Sequence, residues 1–318
     1  MKHCFIVIAL LLSSTTGSAD TLFVTLEKDN AVAIVDGETG QLLNTVPVGQ
    51  RPRGVAFGKD KTLLYIATSD DDTIQILDTK TLKVVGALPS GDDPELFKIH
   101  PNGQWLYVSN EDDNRVTVID LSNQKAIAEI TVGVEPEGIA ISGDGKWVVN
   151  TSETTNMVHW IDPDEQKVKA NTLVDPRPRA AEFSIDGESL FVSSEIAGSL
   201  SRLDVASKQV VDKMFFEIAG VDKALVQPVG VLAHPNNEML FVALGPANRV
   251  AVVDIKTMSV IKYLLVGQRV WNLAFSPDMQ RLYTTNGVSN DISIIELADL
   301  KVTKSVRVGH YPWGLAVK

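Results

Sequence analysis

The chain has 318 residues, of which 44% are hydrophobic, and its formal net charge is −11. A chain of this length usually folds as two domains, unless an internal repeat extends through all of it. Because an acidic protein repels nucleic-acid phosphates and anionic lipid, we expect neither nucleic acid nor a membrane as a partner. Metal ions and cationic partners are compatible with this charge.

The first nineteen residues have the pattern of a secretory signal peptide. Lys2 precedes an unbroken apolar run over residues 5–12, and small, mostly polar residues follow up to Ala19. The apolar run is too short to span a bilayer, so we predict cleavage after Ala19 and a location in the periplasm. The only cysteine, Cys4, lies in this segment. The mature protein is therefore expected to have no disulfide bonds and no cysteine metal ligands.

Residues 20–318 are predicted to form one domain because a single pattern repeats along them. A β-type run that ends in an acidic residue occurs seven times, in steps of 42 residues except for one step of 50. The acidic residues are Asp36, Asp78, Asp120, Asp162, Asp204, Asp254 and Glu296. A period in the low forties, with short strands between turn residues, predicts an all-β, seven-bladed β-propeller with four antiparallel strands per blade.

The two ends of the chain are expected to complete one blade together. Residues 22–48 supply only a second, third and fourth strand, and residues 312–318 supply only a first strand. Pairing of the N- and C-terminal strands would close the ring and remove its free edges. We therefore expect a monomer.

When the seven repeats are aligned, one position, here called the variable column, differs from repeat to repeat, whereas a purely structural position would stay constant. In a propeller, the loops between strands two and three and the loops from strand four to the next strand one share a face, here called the mouth face. In the second set of loops, the residue after the usual proline differs in charge and size from blade to blade. These residues are Arg53, Glu95, Glu137, Arg179, Val229, Trp271 and Trp313. The column predicts a ligand site, and the alternative is a set of solvated loop residues.

A second column, in the loops between strands two and three, carries four carboxylates. These are Glu27, Glu111, Glu153 and Glu195. Several carboxylates on one side of the mouth would suit Ca²⁺ or a cationic ligand. The alternative is a solvated acidic face, because the chain has no spaced calcium-loop motif.

Three further features depart from the repeat. Lys98 and Glu182 replace small residues near the axis, two blades apart, and either pair across the channel or face a ligand. His310 is the only histidine in a mouth loop, where it would serve as a general base or an axial haem ligand. The insertion at residues 219–227 causes the 50-residue step and is expected to project over the mouth as a lid or docking element.

The residue pattern of the repeats resembles that of a known family. SNEDDNRVTVIDLSNQKAIAEITVGVEPEGIAISGDGK, at residues 109–146, and SPDMQRLYTTN, at 276–286, resemble the YVTN-type propeller repeats of prokaryotic exported proteins. The signal peptide, the seven blades and the insertion FFEIAGVDKALVQPVGV at 215–231 resemble propellers associated with catabolism dependent on pyrroloquinoline quinone (PQQ). The resemblance implies a periplasmic accessory protein and offers no catalytic residues. It leaves PQQ and Ca²⁺ as candidate cofactors.

Three functions are compatible with these observations. The first is a non-catalytic protein that binds a small molecule or a periplasmic protein, with Arg53 and Arg179 for carboxylates and the two column tryptophans for a planar ring. The second is a lactonase-like hydrolase that uses glutamate, arginine and histidine at the mouth, with His310 and Glu27 as the first pair to consider. The third is a haem-binding propeller that uses His310. No haem-attachment, nucleophile-elbow, phosphate-loop or dinucleotide motif is present.

Overall fold

A computed structural model describes residues 20–318, which form twenty-eight β-strands and two 3₁₀ helices, at Ser69–Asp71 and Lys223–Leu225. The predicted signal peptide and its cleavage after Ala19 lie outside the described residues, so both stay predictions. Over the range 20–318, no helix has the length and apolar character needed to cross a membrane.

The strands are short, with three to seven residues each. The first eleven are β1 (Thr21–Leu26), β2 (Ala31–Asp36), β3 (Leu42–Pro47), β4 (Pro52–Phe57), β5 (Leu63–Thr68), β6 (Thr73–Asp78), β7 (Lys83–Pro89), β8 (Pro94–Ile99), β9 (Trp105–Asn110), β10 (Arg115–Asp120) and β11 (Lys125–Thr131). The next eight are β12 (Pro136–Ile141), β13 (Val148–Ser152), β14 (Met157–Asp162), β15 (Lys167–Leu173), β16 (Pro178–Phe183), β17 (Ser189–Ser194), β18 (Ser199–Asp204) and β19 (Gln209–Phe215). The last nine are β20 (Val231–Ala233), β21 (Met239–Ala243), β22 (Arg249–Asp254), β23 (Ser259–Leu265), β24 (Val270–Phe275), β25 (Arg281–Asn286), β26 (Asp291–Glu296), β27 (Lys301–Arg307) and β28 (Pro312–Val317).

The strands form seven four-stranded antiparallel sheets, which confirms the seven-bladed propeller. Blades one to six are consecutive groups of four strands, from β4–β7 to β24–β27, and the seventh has the order β28-β1-β2-β3. β28 pairs antiparallel with β1, from Leu22 opposite Val317 to Leu26 opposite Pro312. The ring is therefore closed by its terminal strands, as predicted.

The repeated aspartate has a structural role at the hairpin between strands three and four of its blade. Asp36 Oδ1 accepts hydrogen bonds from the backbone N–H groups of Glu38 at 3.1 Å and Thr39 at 2.7 Å. These hydrogen bonds to the charged form lower the pKa of Asp36. An aspartate that accepts hydrogen bonds from the backbone two or three residues further on favours a tight turn, and this explains why the residue recurs in six of the seven blades.

Small residues on the innermost strands let neighbouring blades meet at the axis. A Cβ atom on Gly54 would lie 2.4 Å from the backbone oxygen of Glu95 in the next blade, and one on Gly314 would lie 2.4 Å from that of Arg53. The hydrophobic core consists of seven clusters of buried residues, each between two adjacent blades. The packed sheets thus position the backbone of the variable column around the channel.

Candidate functional site

A repeated loop contact positions the side chains of the mouth. The residue before the usual proline has a left-handed backbone conformation, as at Arg177 (φ 61°). Its N–H donates to an asparagine or aspartate side chain of the neighbouring loop, for example Arg177 to Asn156 Oδ1 at 3.0 Å. Arg51 is held in the same way by Asn30, and Arg269 by Asn248, at 3.0 and 2.9 Å. Three arginines are thereby fixed beside the variable column.

Arg53 and Arg51 form one half of a charged network with acidic residues. Arg53 donates to Glu95 Oε2 at 2.6 Å and lies 3.7 Å from Glu27. Arg51 contacts Asp93 and also lies 3.6 Å from Glu95 Oε1. Glu95 is fully buried, so its charge depends on these guanidinium groups for compensation.

Arg179 is the centre of the other half. Its guanidinium lies 3.1 Å from Glu137, contacts Glu153 and lies 3.7 Å from Glu195. Arg177 also contacts two of these carboxylates: Glu153 at 2.8 Å and Glu195 at 3.1 Å. The structure therefore places the four column residues Arg53, Glu95, Glu137 and Arg179 in two neighbouring groups of paired charges. The charge of Glu137 acts on Arg53 and Glu95 across the two groups, which together are called the charged network.

The two tryptophans of the column pack against arginines. The Arg53 guanidinium carbon lies 5.5 Å from the centre of the Trp313 ring, and that of Arg269 lies 4.3 Å from the centre of Trp271. Gly287 stands at the position that carries a glutamate in four other blades, and a Cβ atom on it would lie 2.6 Å from the Trp271 indole nitrogen. Trp271 therefore occupies the space that a glutamate side chain takes in those blades. The Trp271 N–H is buried and has no hydrogen-bond acceptor within residues 20–318.

Burial raises the pKa of several carboxylates in the mouth. The pKa of Glu153 is raised to about 8 by loss of solvent, although Arg179 favours its ionised form. The pKa of Glu95 is raised by burial and then by the nearby charge of Glu137, and that of Glu111 is raised for the same two reasons. Loss of solvent is thus the main reason why the pKa values of these carboxylates are raised.

The four glutamates proposed as metal ligands have different surroundings. Glu27, Glu153 and Glu195 each lie within 4 Å of an arginine, whereas Glu111 has no such partner in the described part of the chain. Among the described residues, one group of three acidic side chains has candidate ligand atoms within 4.8 Å of one another. It consists of Asp93, Glu95 and Glu111, and it shares only Glu111 with the predicted set.

Lys98 and Glu182 line the channel below the mouth without forming an ion pair within 4 Å. Both border a cavity of about 100 Å³. Burial raises the pKa of Glu182, while the charge of Lys98 acts in the opposite direction. Glu182 Oε1 accepts a hydrogen bond from the Ala233 N–H at 3.4 Å. The sequence left two arrangements open: a direct ion pair across the channel, or two side chains that face a ligand. Within the described chain the direct pair is absent, and both residues border the channel.

His310 is held by Asp29 rather than by Glu27. Its Nδ1 lies 2.7 Å from Asp29 Oδ1, and its backbone N–H donates to Asp29 Oδ2 at 2.7 Å. Asp71 and Asp113 accept the equivalent loop N–H in two other blades. The aspartate at this position therefore holds the adjacent loop through its backbone N–H in three blades. The expected pairing of His310 with Glu27 is replaced by the contact with Asp29.

The insertion at residues 219–227, with Glu217 and Ile218 directly before it, contacts both the outer part of the fifth blade and the mouth. The Tyr263 hydroxyl, on the outermost strand of that blade, donates to the Glu217 oxygen at 3.0 Å, and Ile218 and Val221 pack on the core cluster beside it. Only Gln227 reaches the charged network, where its side chain accepts from Arg269 at 3.0 Å. The expectation that the insertion serves as a lid or docking element stays a prediction.

The mouth has a closed centre and an open margin. At the axis, Glu137, Arg179, Trp271 and Trp313 leave only about 20 Å³, room for roughly one water molecule. Beside this centre lies a shallow pocket of about 370 Å³. Its lining residues are Pro246, Asn248, Gln268, Arg269, Val288 and Tyr311. A larger groove of about 890 Å³ lies on the opposite face, between the third and fourth blades.

Comparison with known proteins supports the fold and leaves the function open. Residues 58–181, less than half of the chain, match the family described as the cytochrome D1 heme domain. A comparison with curated proteins finds no match. The match indicates similarity to that family over two to three blades, and the specific resemblance to PQQ-associated propellers stays a prediction.

Solved structures with little sequence identity share the architecture. A functionally unknown protein from Desulfotomaculum acetoxidans DSM 771 is 17% identical, with a TM-score of 0.80 over 93% of this chain and 98% of that chain. A putative 6-phosphogluconolactonase from Bacteroides fragilis NCTC 9343 is 18% identical, with a TM-score of 0.80 over 96% and 99%. The dihydro-heme d1 dehydrogenase NirN, in complex with DHE, is 15% identical, with a TM-score of 0.70 over 96% and 77%. At these identities the similarity is one of fold alone.

Proposed function

We propose that this protein is an exported, non-catalytic binding propeller that takes a planar, carboxylate-bearing small molecule at its mouth. The observation that carries the proposal is the open pocket of about 370 Å³ beside the closed centre, with Arg269 and Tyr311 in its lining. Its volume lies within the range of about 300–1,000 Å³ that is usual for small-molecule sites. A guanidinium group binds a carboxylate through two parallel hydrogen bonds, and aromatic rings pack on flat ligands.

The arrangement of the mouth favours binding over turnover. Its central arginines and glutamates pair with one another, as Arg179 does with Glu137 and Glu153, so they do not surround an open reaction chamber. The base expected for a lactonase, His310, is fastened to Asp29 and has 60% of its side chain exposed. A water-excluding site, which strengthens electrostatic catalysis, is lacking around that imidazole.

The resemblance to PQQ-associated propellers makes that quinone, with its carboxylates, the first ligand to test. On this view the protein serves a periplasmic alcohol oxidation system as an accessory factor.

Haem is the second candidate, and the match of residues 58–181 to the cytochrome D1 heme domain favours it. Haem has the same general chemistry, a flat conjugated ring with carboxylates. His310 Nδ1 is bonded to the Asp29 carboxylate, and metal-binding histidines usually have such a contact on the nitrogen that does not bind the metal. His310 Nε2 makes no hydrogen bond within the described residues.

The test is a titration of the mature protein with PQQ and with hemin, followed by absorbance and calorimetry. We expect saturable binding of one of them, weakened at least tenfold in Arg269→Leu and in Tyr311→Ala. Arg177→Leu is the matched control, because Arg177 pairs with Glu195 at 3.1 Å, as Arg269 does at 3.2 Å, but does not line the pocket. A change of the hemin spectrum that is lost in His310→Ala would identify haem as the ligand.

Two results would overturn the proposal. If neither molecule binds, or if the Arg177 and Arg269 variants lose affinity equally, the pocket is not the site and a protein partner becomes the next candidate. If the protein hydrolyses members of a lactone panel, it is an enzyme.

A further inference from the structure

Three carboxylates from two neighbouring loops converge on the acidic side of the mouth, away from the pocket of the proposed ligand. Asp93 and Glu95 flank the proline that begins β8, and Glu111 follows β9 in the same blade. Their candidate ligand oxygens lie within 4.8 Å of one another. At the largest of these separations, an ion at the centre of the three oxygens would lie about 2.8 Å from each. This is close to the 2.3–2.6 Å distance between Ca²⁺ and its oxygen ligands, so a small movement of the side chains would bring all three into range.

Two buried carboxylate oxygens in this part of the mouth have no hydrogen-bond partner within the described residues. Glu95 has no solvent exposure, and its Oε1 atom accepts no hydrogen bond within the described residues, although Arg51 Nη1 lies 3.6 Å away. Glu137 in the next blade is 2% exposed and has an Oε2 atom in the same condition. A buried carboxylate oxygen without a partner costs free energy, and a bound cation would remove that cost.

The guanidinium group of Arg51 is the present counter-ion of this cluster. It contacts Asp93 and Asp70 as well as approaching Glu95, and 23% of its side chain is exposed. Arg53, by contrast, is engaged with the other oxygen of Glu95 and packs on Trp313. Arg51 can therefore move towards solvent while Arg53 stays in place.

We propose that Asp93, Glu95 and Glu111 bind a hard divalent cation of the calcium class, in competition with the guanidinium group of Arg51. All three ligands are oxygens, and the cluster contains no histidine or cysteine that would favour zinc. Asp93 and Glu111 are only partly buried, so water can complete the coordination shell. The exposed Asp70 and Asp112 add negative potential at the entrance.

The experiment uses the mature protein, freed of metal with a chelator and titrated with Ca²⁺, Mg²⁺ and Zn²⁺ by calorimetry. Tb³⁺ is a luminescent substitute for Ca²⁺, and Trp313, next to Arg53, is positioned to sensitise its emission. We expect saturable Ca²⁺ binding that is tighter than Mg²⁺ binding. Glu95→Gln should weaken it at least tenfold. Asp93→Asn, at a partly buried position, should weaken it too and serves if the Glu95 variant unfolds.

Arg51→Met distinguishes a defined site from a diffuse acidic surface. Removing the competing guanidinium should tighten Ca²⁺ binding several-fold, whereas Arg177→Met, the same position in the fourth blade, should leave it unchanged. Glu153→Gln is the matched buried carboxylate, and its effect should be small.

The proposal fails if the native protein shows no saturable Ca²⁺ binding. It also fails if Glu95→Gln and Glu153→Gln weaken binding equally, or if Arg51→Met weakens it. None of these results affects the pocket of Arg269 and Tyr311, which is tested with its own ligands and variants.

Discussion

The guanidinium carbon of Arg179 lies 5.8 Å from the centre of the Trp271 ring, so a cation of the fourth blade packs on an aromatic ring of the sixth. The same guanidinium contacts carboxylates of the third and fourth blades, including Glu137 and Glu195. One side chain therefore joins three blades at the centre of the mouth. Its pKa is raised because the surrounding carboxylates outweigh the loss of solvent, so it stays charged at any pH at which the protein is folded.

Replacing Arg179 by leucine should destabilise the protein by about 3–5 kcal/mol, because breaking a buried ion pair leaves uncompensated charge in the interior. Glu137, which lies 3.1 Å from Arg179, would be the residue left with too little positive charge. The measurement is the thermal midpoint of unfolding. Arg115→Leu is the control, since Arg115 pairs with Glu129 at the surface and exposed pairs contribute little. Equal midpoints for the two variants would contradict the central role of Arg179.

The stability of the protein should fall as the pH rises through the neutral range. Burial raises the pKa of Glu153 from an ordinary value of 4.5 to about 8, so between these values the folded protein holds a proton that the unfolded chain releases. The free energy of unfolding then decreases with rising pH across this window. Thermal midpoints between pH 5 and 9 would show the decrease.

Glu153→Gln should flatten that profile, because glutamine has no proton to lose. Glu95 and Glu111, whose pKa values are also raised, contribute in the same direction and should leave a residual slope. The exposed residue Glu129, changed to glutamine, provides the control. A profile for Glu153→Gln as steep as that of the native protein would remove this residue from the explanation.

A protein that ends at Tyr311 should lose the closed ring, because the seventh sheet would lack its innermost strand β28. A synthetic peptide of residues 312–318 should restore it by pairing with β1. Recovery of the thermal transition in circular dichroism, on adding the peptide, is the measurement. The same peptide with Gly314→Ala should fail, since its Cβ would lie 2.4 Å from the backbone oxygen of Arg53. Rescue by both peptides would show that this close approach is not required.

Asp29 should matter more for stability than His310 does. Asp29→Ala removes the acceptor of the His310 N–H and of the imidazole, and each hydrogen bond contributes about 0.5–1.5 kcal/mol or more when charged. His310→Ala keeps the backbone contact, so we expect a smaller loss of thermal stability. If His310→Ala is less stable than Asp29→Ala, the assignment of Asp29 as the residue that holds this loop would be wrong.

Most of the fold was accessible from the sequence because the repeat makes each prediction several times over. The aspartate of six blades, such as Asp36, lies at a hairpin with the same backbone hydrogen bonds each time, so it recurs at a nearly fixed interval. The small inner residues, such as Gly54, follow from the approach of the next blade. The predicted closure by strands at the two ends is confirmed for the same reason, since only a first strand was missing from the N-terminal blade.

The candidate site was less accessible because its pairs join residues from different blades. The column that contains Arg53 and Arg179 was identified by its variation, but its arginines were taken as free to bind a ligand, whereas they pair with glutamates. Arg51, Arg177 and Arg269 were missed. The sequence did contain an indication of them, because all three arginines occupy the same position of the repeat, two residues before the variable column.

The pairing of Leu22 with Val317 sets the order in which the molecule can be completed. These residues are separated by nearly the whole chain, so the entropy of closing that loop must be lost before the contact contributes any stability. A ribosome releases the partner of the first strand only at the end of synthesis. The sheet whose strands emerge first is thus the last to be completed. Until β28 is synthesised, β1 stays an unpaired edge strand with which another chain could pair.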